Sequence, residues 1–163
     1  MLQQLSRSRF SLSTLLLLII FLDQSSKAIA YKVLDPAVDL PIFADLIRFT
    51  LVFNHDGFLG ILNGTTESVR FILLVIVVAL TLCCCLAWLF CYPNALQSRY
   101  LFQMIFIVAG GTGNLLDRLL HNGGVIDFIS LGVASFRTGI FNLADLFVLF
   151  GSFGIGHCLV SGK

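Results

Sequence analysis

From Phe71 to Cys91 the chain runs for 21 residues without a charge. That is the length and character of a helix that crosses a bilayer. Composition extends the inference to the whole chain. Of 163 residues, 58% are hydrophobic and 12% charged, with a mean hydropathy of +0.97. A soluble domain carries about 25% charged residues, so this chain cannot cover a water-facing surface. It reads as one integral membrane domain, 1–163.

Tyr92-Pro93-Asn94 ends the first clear span, and the short 92–99 link requires the next helix to return antiparallel. That helix covers about 100–117, and Ala109-Gly110-Gly111-Thr112-Gly113 would let a neighbour approach closely. A phosphate-binding loop is excluded there, because no strand precedes it and no Gly-Lys-Ser/Thr follows. A last span covers about 140–160, with Asp145 its only formal charge. Asp145 would fall about five residues inside that helix, late for a cap.

The N-terminal region, about 11–30, has two readings. Arg7 and Arg9, an apolar run and Ala28-Ile29-Ala30 fit a cleaved signal peptide. The same residues fit a retained spanning helix, and Asp23 and Lys27, at i and i+4, could pair on one face of it. The five cysteines (83, 84, 85, 91 and 158) are odd in number and sit in apolar surroundings, so they suggest neither a disulfide framework nor a zinc site.

Two segments, about 31–69 and 118–139, are extramembrane. From Ile47 to Asn54 apolar and polar residues alternate, which predicts a strand with one apolar face. Asn54-His55-Asp56-Gly57 reads as a turn. Thr65 or Thr66 can cap the next helix. In the second segment His121 to Gly124 forms a turn, and Val125-Ile126-Asp127-Phe128-Ile129 is a short apolar run holding one carboxylate. The expected fold is therefore an all-α membrane protein, with four transmembrane helices and a small, partly β element. All acidic residues lie between Asp23 and Asp145, whereas the first 22 residues, the 92–99 loop and the last 18 carry only Arg7, Arg9, Arg99 and Lys163. Counting Lys and Arg alone gives a mixed signal. Arg7, Arg9 and Arg99 favour both termini in the cytoplasm.

In this topology Asp23, Lys27, Asn54, Asn114, Asp117, Arg118, Asp127, Asn142 and Asp145 gather near one bilayer face. Ionisable groups at such a position are costly and are rarely kept without use. Asp117 has Arg118 beside it and reads as charge-paired, as does Asp23 with Lys27. Asp127 and Asp145 have no close basic neighbour in sequence. Two carboxylates brought together in a low-dielectric site share a proton and can act as acid and base. The residues alone leave three roles open for them: a catalytic pair, helix-end hydrogen bonding, or a proton or ion pathway. No Gly-x-Ser-x-Gly and no His/Cys metal cluster points to another hydrolytic design.

Four blocks, in order and at matching spacing, carry a family resemblance. They are Asp23-Gln24-Ser25-Ser26-Lys27, Gly113-Asn114-Leu115-Leu116-Asp117-Arg118, Gly124-Val125-Ile126-Asp127-Phe128 and Phe141-Asn142-Leu143-Ala144-Asp145. The sequence resembles the lipoprotein (type II) signal peptidases of bacteria. The resemblance implies an aspartic endopeptidase of the inner membrane, with a retained first helix and an active site near the periplasmic face. Its substrates would be diacylglyceryl-modified prolipoproteins, cut before the lipidated cysteine. It makes Asp127 and Asp145 the catalytic dyad, and Asn114, Asp117, Arg118 and Asn142 residues that orient the dyad and substrate, with Asp23, Lys27 and Asn54 supporting the pocket. Membrane lipid is the expected surrounding. A monomer is expected, with no metal, cofactor or nucleic acid. The chain departs from the family pattern at Asn54-His55-Asp56-Gly57-Phe58-Leu59-Gly60, where the glycine is shifted by one and the aromatic is moved. It also lacks the Trp or Pro often found before the Phe-Asn pair. The alternatives are a four-helix transporter or proton relay, and a family member that binds lipoproteins without cutting them.

Overall fold

A computed structural model of the chain describes residues 2–57, 60–92 and 99–161, with side chains from Arg9 onward. Residues 93–98 of the predicted loop, Phe58 and Leu59 of the divergent segment, the Arg7 side chain and Lys163 lie outside the described residues. Helix α1 spans Leu2–Val33; α2 (Glu67–Phe71) continues through a π turn (Ile72–Val77) into α3 (Val78–Cys91); α4 is Leu101–Leu120 and α5 Leu143–Ser161. Strands β1 (Leu40–Ile42), β2 (Ile47–Asn54), β3 (Val125–Val133) and β4 (Phe136–Arg137) form an antiparallel sheet in the order β1-β2-β3-β4.

The molecule is thus a helical membrane protein with a four-stranded sheet, and "all-α" understates it. Among the described residues, three helical stretches are long and apolar enough to cross a bilayer: Arg9–Val33, Glu67–Cys91 and Leu143–Ser161. Helix α4 differs in kind. Three glycines, Thr112, Asn114, Asp117 and Arg118 dilute its apolar character. It packs chiefly on α5 and α1.

The strand expected at Ile47–Asn54 is present with those bounds. The apolar run around Asp127 becomes its partner. Val52 faces Asp127 and Asn54 faces Val125, with a bulge between Phe49 and Val52. A bulge beside a site bends the strand and re-aims its side chains. Thr66 caps α2, its hydroxyl accepting from the Val69 amide at 3.4 Å.

Two apolar clusters form among the described residues. One joins α1, α3 and α4 through Leu12, Leu16, Ile19, Leu89, Ile105, Val108 and Ala109. The other lies where α1 meets the sheet, through Ala30, Leu51, Ile126 and Phe128. On α1 the polar pair Asp23 and Lys27 falls between Ile19 of the first cluster and Ala30 of the second. Glycines bring the helices together over this layer. A Cβ on Gly110 would collide with the Ala144 carbonyl, and one on Gly113 with the Asp23 carboxylate.

Candidate active site

Asp23, Lys27, Asp117, Asp127 and Asn142 are each no more than 2% exposed. Charges this deep persist only when paired and hydrogen-bonded. Lys27 Nζ lies 2.9 Å from Asp23 Oδ2 and 3.1 Å from Asp117 Oδ2, and donates to Asn114 Oδ1 at 3.0 Å. The expected Asp23–Lys27 pair is therefore present. The expected Asp117–Arg118 pair is not. Consecutive residues on a helix point to different faces, so Asp117 turns inward to Lys27. Arg118 Nη1 donates to the Asn114 carbonyl at 3.4 Å, and its buried Nε has no hydrogen-bond partner among the described residues.

The two supporting carboxylates also fasten the backbone. Asp117 Oδ2 accepts from the Ile126 amide at 3.0 Å, which ties the start of β3 to α4. Asp23 Oδ1 accepts from the Ala144 amide at 2.9 Å, in the first turn of α5. The strand carrying Asp127 and the helix carrying Asp145 are thereby both anchored on the α1–α4 ion cluster.

Asp127 is held at both oxygens. Asn54 Nδ2 donates to Oδ2 at 2.9 Å and Asn142 Nδ2 to Oδ1 at 2.6 Å. Asn54 reaches it because Val52 faces Asp127 across the ladder, which makes Asn54 a diagonal neighbour on the same face. The Asn54 Oδ1 accepts from the Asp56 and Gly57 amides, so the same side chain shapes the turn that follows. Asn54 therefore keeps its contact with Asp127 although the residues after it depart from the family pattern.

Asp145 accepts from Asn114 Nδ2 at 2.8 Å. It also makes a reciprocal cap with Asn142: the Asn142 amide donates to Asp145 Oδ2 at 3.1 Å, and the Asp145 amide donates to Asn142 Oδ1 at 3.0 Å. This is a capping box with Asn and Asp in place of the usual residues. It corrects the expectation that Asp145 lies too deep in its helix to cap. The helix begins at Leu143, so Asp145 is its third residue. Asn142 completes the circuit by donating to Asn114 Oδ1 at 3.1 Å.

Asp127 and Asp145 line one cavity of about 1030 Å³, with Asn54, Asn114 and Arg118 on its polar side and Ile140, Phe141, Leu146 and Leu149 on its apolar side. Burial pushes the Asp127 carboxyl up from its ordinary 3.8 to about 7; the Asp145 charge adds to this, and the amide donors oppose it.

All nine candidate residues thus belong to one connected polar layer. Gln24 belongs with them, although sequence reasoning passes it over. Its Nε2 donates to Asp117 Oδ1 at 3.0 Å, Asp23 Oδ2 at 3.1 Å and the Gly113 carbonyl at 3.2 Å. The signal that could find it is an amide inside an apolar helix, beside one of the cluster's own aspartates.

Fold and site together define a helical membrane protein with a carboxylate-lined cavity bordered by its sheet. The model of the signal peptidase (SPase) II family matches residues 15–160. The chain belongs to that family. It is accordingly a membrane protease of the class that processes prolipoproteins. The lipoprotein signal peptidase of Caldanaerobacter subterraneus subsp. tengcongensis is 32% identical over 142 residues, covering 87% of this chain and 90% of that one. The lipoprotein signal peptidase of Treponema denticola is 30% identical over 149 residues, covering 88% and 84%. A bacterial membrane enzyme solved by the in meso method at 1.9 Å shares the fold, with a TM-score of 0.78 at 20% identity over 94% of each chain. A second, solved at 2.3 Å, has a TM-score of 0.74 at 24% identity, covering 93% and 88%.

Proposed function

We propose that the chain is an aspartic endopeptidase in which Asp127 and Asp145 form the catalytic dyad. The observation that carries this reading is their convergence on one cavity, each from a different element and each held by amides rather than by a cation. Asp127, whose carboxyl retains its proton to about pH 7, hydrogen-bonds the scissile carbonyl oxygen. Asp145 takes a proton from water, and the hydroxyl oxygen forms the new bond to the carbonyl carbon. The C–N bond then breaks, and the proton held by Asp145 passes to the leaving amine. The Asn114 side-chain amide and the Asn142 backbone amide fix the two Asp145 oxygens at the start of α5, which orients the carboxylate for the base role. Asn114, Asn142 and Asn54 hold the two carboxyl groups in place. Lys27, Asp23 and Asp117 are the charged foundation under them.

The substrate is a diacylglyceryl-modified prolipoprotein, cut before its lipidated cysteine. The apolar flank of the cavity, against Leu146 and Leu149, suits a lipidated chain presented from the bilayer. The enzyme sits in the bacterial inner membrane with α4 as a fourth crossing, both termini cytoplasmic and the dyad near the periplasmic face.

Asp127→Asn and Asp145→Asn, tested separately, abolish cleavage of a diacylglyceryl-modified substrate while the protein still accumulates in the membrane. Normal processing by either variant overturns the mechanism. Unmodified substrate is cleaved far more slowly, and chelators leave the rate unchanged.

A further inference from the structure

The sheet ends, away from the dyad, in two turns lying side by side. One joins β1 to β2 at residues 43–46, the other joins β3 to β4. They are adjacent because Ile47 pairs with Leu131 and the Gly132 amide donates to the Leu46 carbonyl at 3.0 Å. Water-facing turns are built from Gly, Asn, Asp and Ser. These turns and the strand ends flanking them instead expose Phe136 (91%), Phe43 (74%), Val133 (70%) and Leu46 (51%). The backbone takes an unfavourable form to do so. Phe43, Ala44, Asp45 and Ala134 all have φ between 52° and 66°, the left-handed region that L-residues with a Cβ avoid.

The charges beside the tip are closed on one another. Arg48 lies 2.6 Å from Asp45 and 3.3 Å from Asp39. Arg137 donates to the Asp45 carbonyl at 2.7 Å and lies 3.4 Å from its carboxylate. Two arginines against two aspartates leave the tip with no net charge to hold it in water. Its position points the same way. Leu131, at the base of the tip, lines the dyad cavity together with Leu146 and Leu149. Those two residues lie within the span Leu143–Ser161. The outer half of the sheet therefore borders the same cavity as α5, a helix long and apolar enough to cross the bilayer.

We propose that this paired-turn tip is a membrane contact separate from the helices, with Phe43, Val133 and Phe136 seated among the acyl chains of the leaflet next to the site. An exposed apolar patch of this kind marks an interaction surface, and Phe and Val side chains are favourable inside the bilayer. The bilayer is the occupant, because the chain's own spans place it alongside.

The test uses Trp fluorescence in the full-length protein, with Trp88→Phe as the background. Phe136→Trp and, independently, Phe43→Trp are reconstituted into phosphatidylcholine vesicles with or without brominated acyl chains. Phe153→Trp, on the exposed side of α5 (69%), is the membrane control and N-acetyltryptophanamide in buffer the aqueous one. The expected result is that bromination quenches emission at positions 136 and 43 nearly as strongly as at 153, with a blue shift relative to the aqueous reference. Emission at both positions that ignores bromination overturns the proposal. So does emission that follows the protein-to-lipid ratio instead, the signature of a second copy of this chain.

Discussion

In the proposed mechanism Asp127 couples chemistry to stability, because the folded protein keeps a proton on it that the unfolded chain would release. With a folded value of about 7 against an ordinary 3.8, its contribution to stability is complete below about pH 4. It is lost as pH rises through about 7. Asp127→Asn removes a buried carboxyl that must ionise in alkali. The variant should therefore melt higher than the parent at about pH 8, and the gap should narrow towards about pH 5; each tenfold difference in proton affinity between the folded and unfolded chain is worth about 1.4 kcal/mol. In the parent, cleavage that relies on the Asp127 proton declines above about pH 7, which a pH–rate profile will read directly. Asn142 allows its two duties to be separated. Asn142→Ser keeps an N-cap oxygen for α5 but loses the amide that donates to Asp127. It should retain most of the melting temperature and lose most of the activity. Asn142→Ala loses both, with an added cost of about 0.5–2 kcal/mol for the missing cap. Equal melting of the two variants would show that the cap contributes nothing to stability.

The elements meet where helix surfaces are flattened by glycine. At Gly113 a methyl group would displace the Asp23 carboxylate, which is 2.9 Å from Lys27 and accepts the Ala144 amide. Gly113→Ala should cost roughly 1–3 kcal/mol, as overpacking does, and should lower activity by moving the first turn of α5. At Gly156, in the same helix as Asp145, an added methyl would meet no described atom within 4 Å. Gly156→Ala should be neutral or stabilising, by up to about 1 kcal/mol of helix propensity. Thermal melting of the two variants in one detergent tests the contrast. The sheet acts as a lever of the same kind. β3 delivers Asp127 because its first residues are pinned by Asp117 and its register is set by β2. A substitution in β2 that shifts the ladder by one residue would turn Asp127 to the opposite face.

For the molecule as a whole, the proposed four-crossing topology has α4 cross the membrane although it is not among the three helical stretches long and apolar enough to do so by composition. Its Asn114 and Asp117 face α1 and α5, where Lys27, Gln24, Asn142 and Asp145 satisfy them. In the proposed four-crossing topology, reporters fused to the two termini should both read as cytoplasmic. A reporter between α1 and β1 should read as periplasmic. Termini on opposite sides would reduce the count to three and place α4 at the surface.

Much of this was legible in local pattern. The uncharged run 71–91 required a spanning helix, and the alternation over Ile47–Asn54 required a strand, because both periods are set by backbone geometry alone. The polar ends of the helices predicted where the costly groups would gather. Three matters depended on tertiary structure. Asp117 has Arg118 as its sequence neighbour and Lys27 as its partner, because helix faces, not chain order, decide which charge is near. Helix α5 starts at Leu143 rather than Ile140, because the Phe141 backbone is taken by Ile129 and Phe128 and Asn142 then closes the cap. Apolarity continues through that boundary and does not mark it. Asp127 lies on a strand whose partner is more than 70 residues away in the chain. Pairing at that range depends on how the helices place the two segments, which no local window of sequence contains.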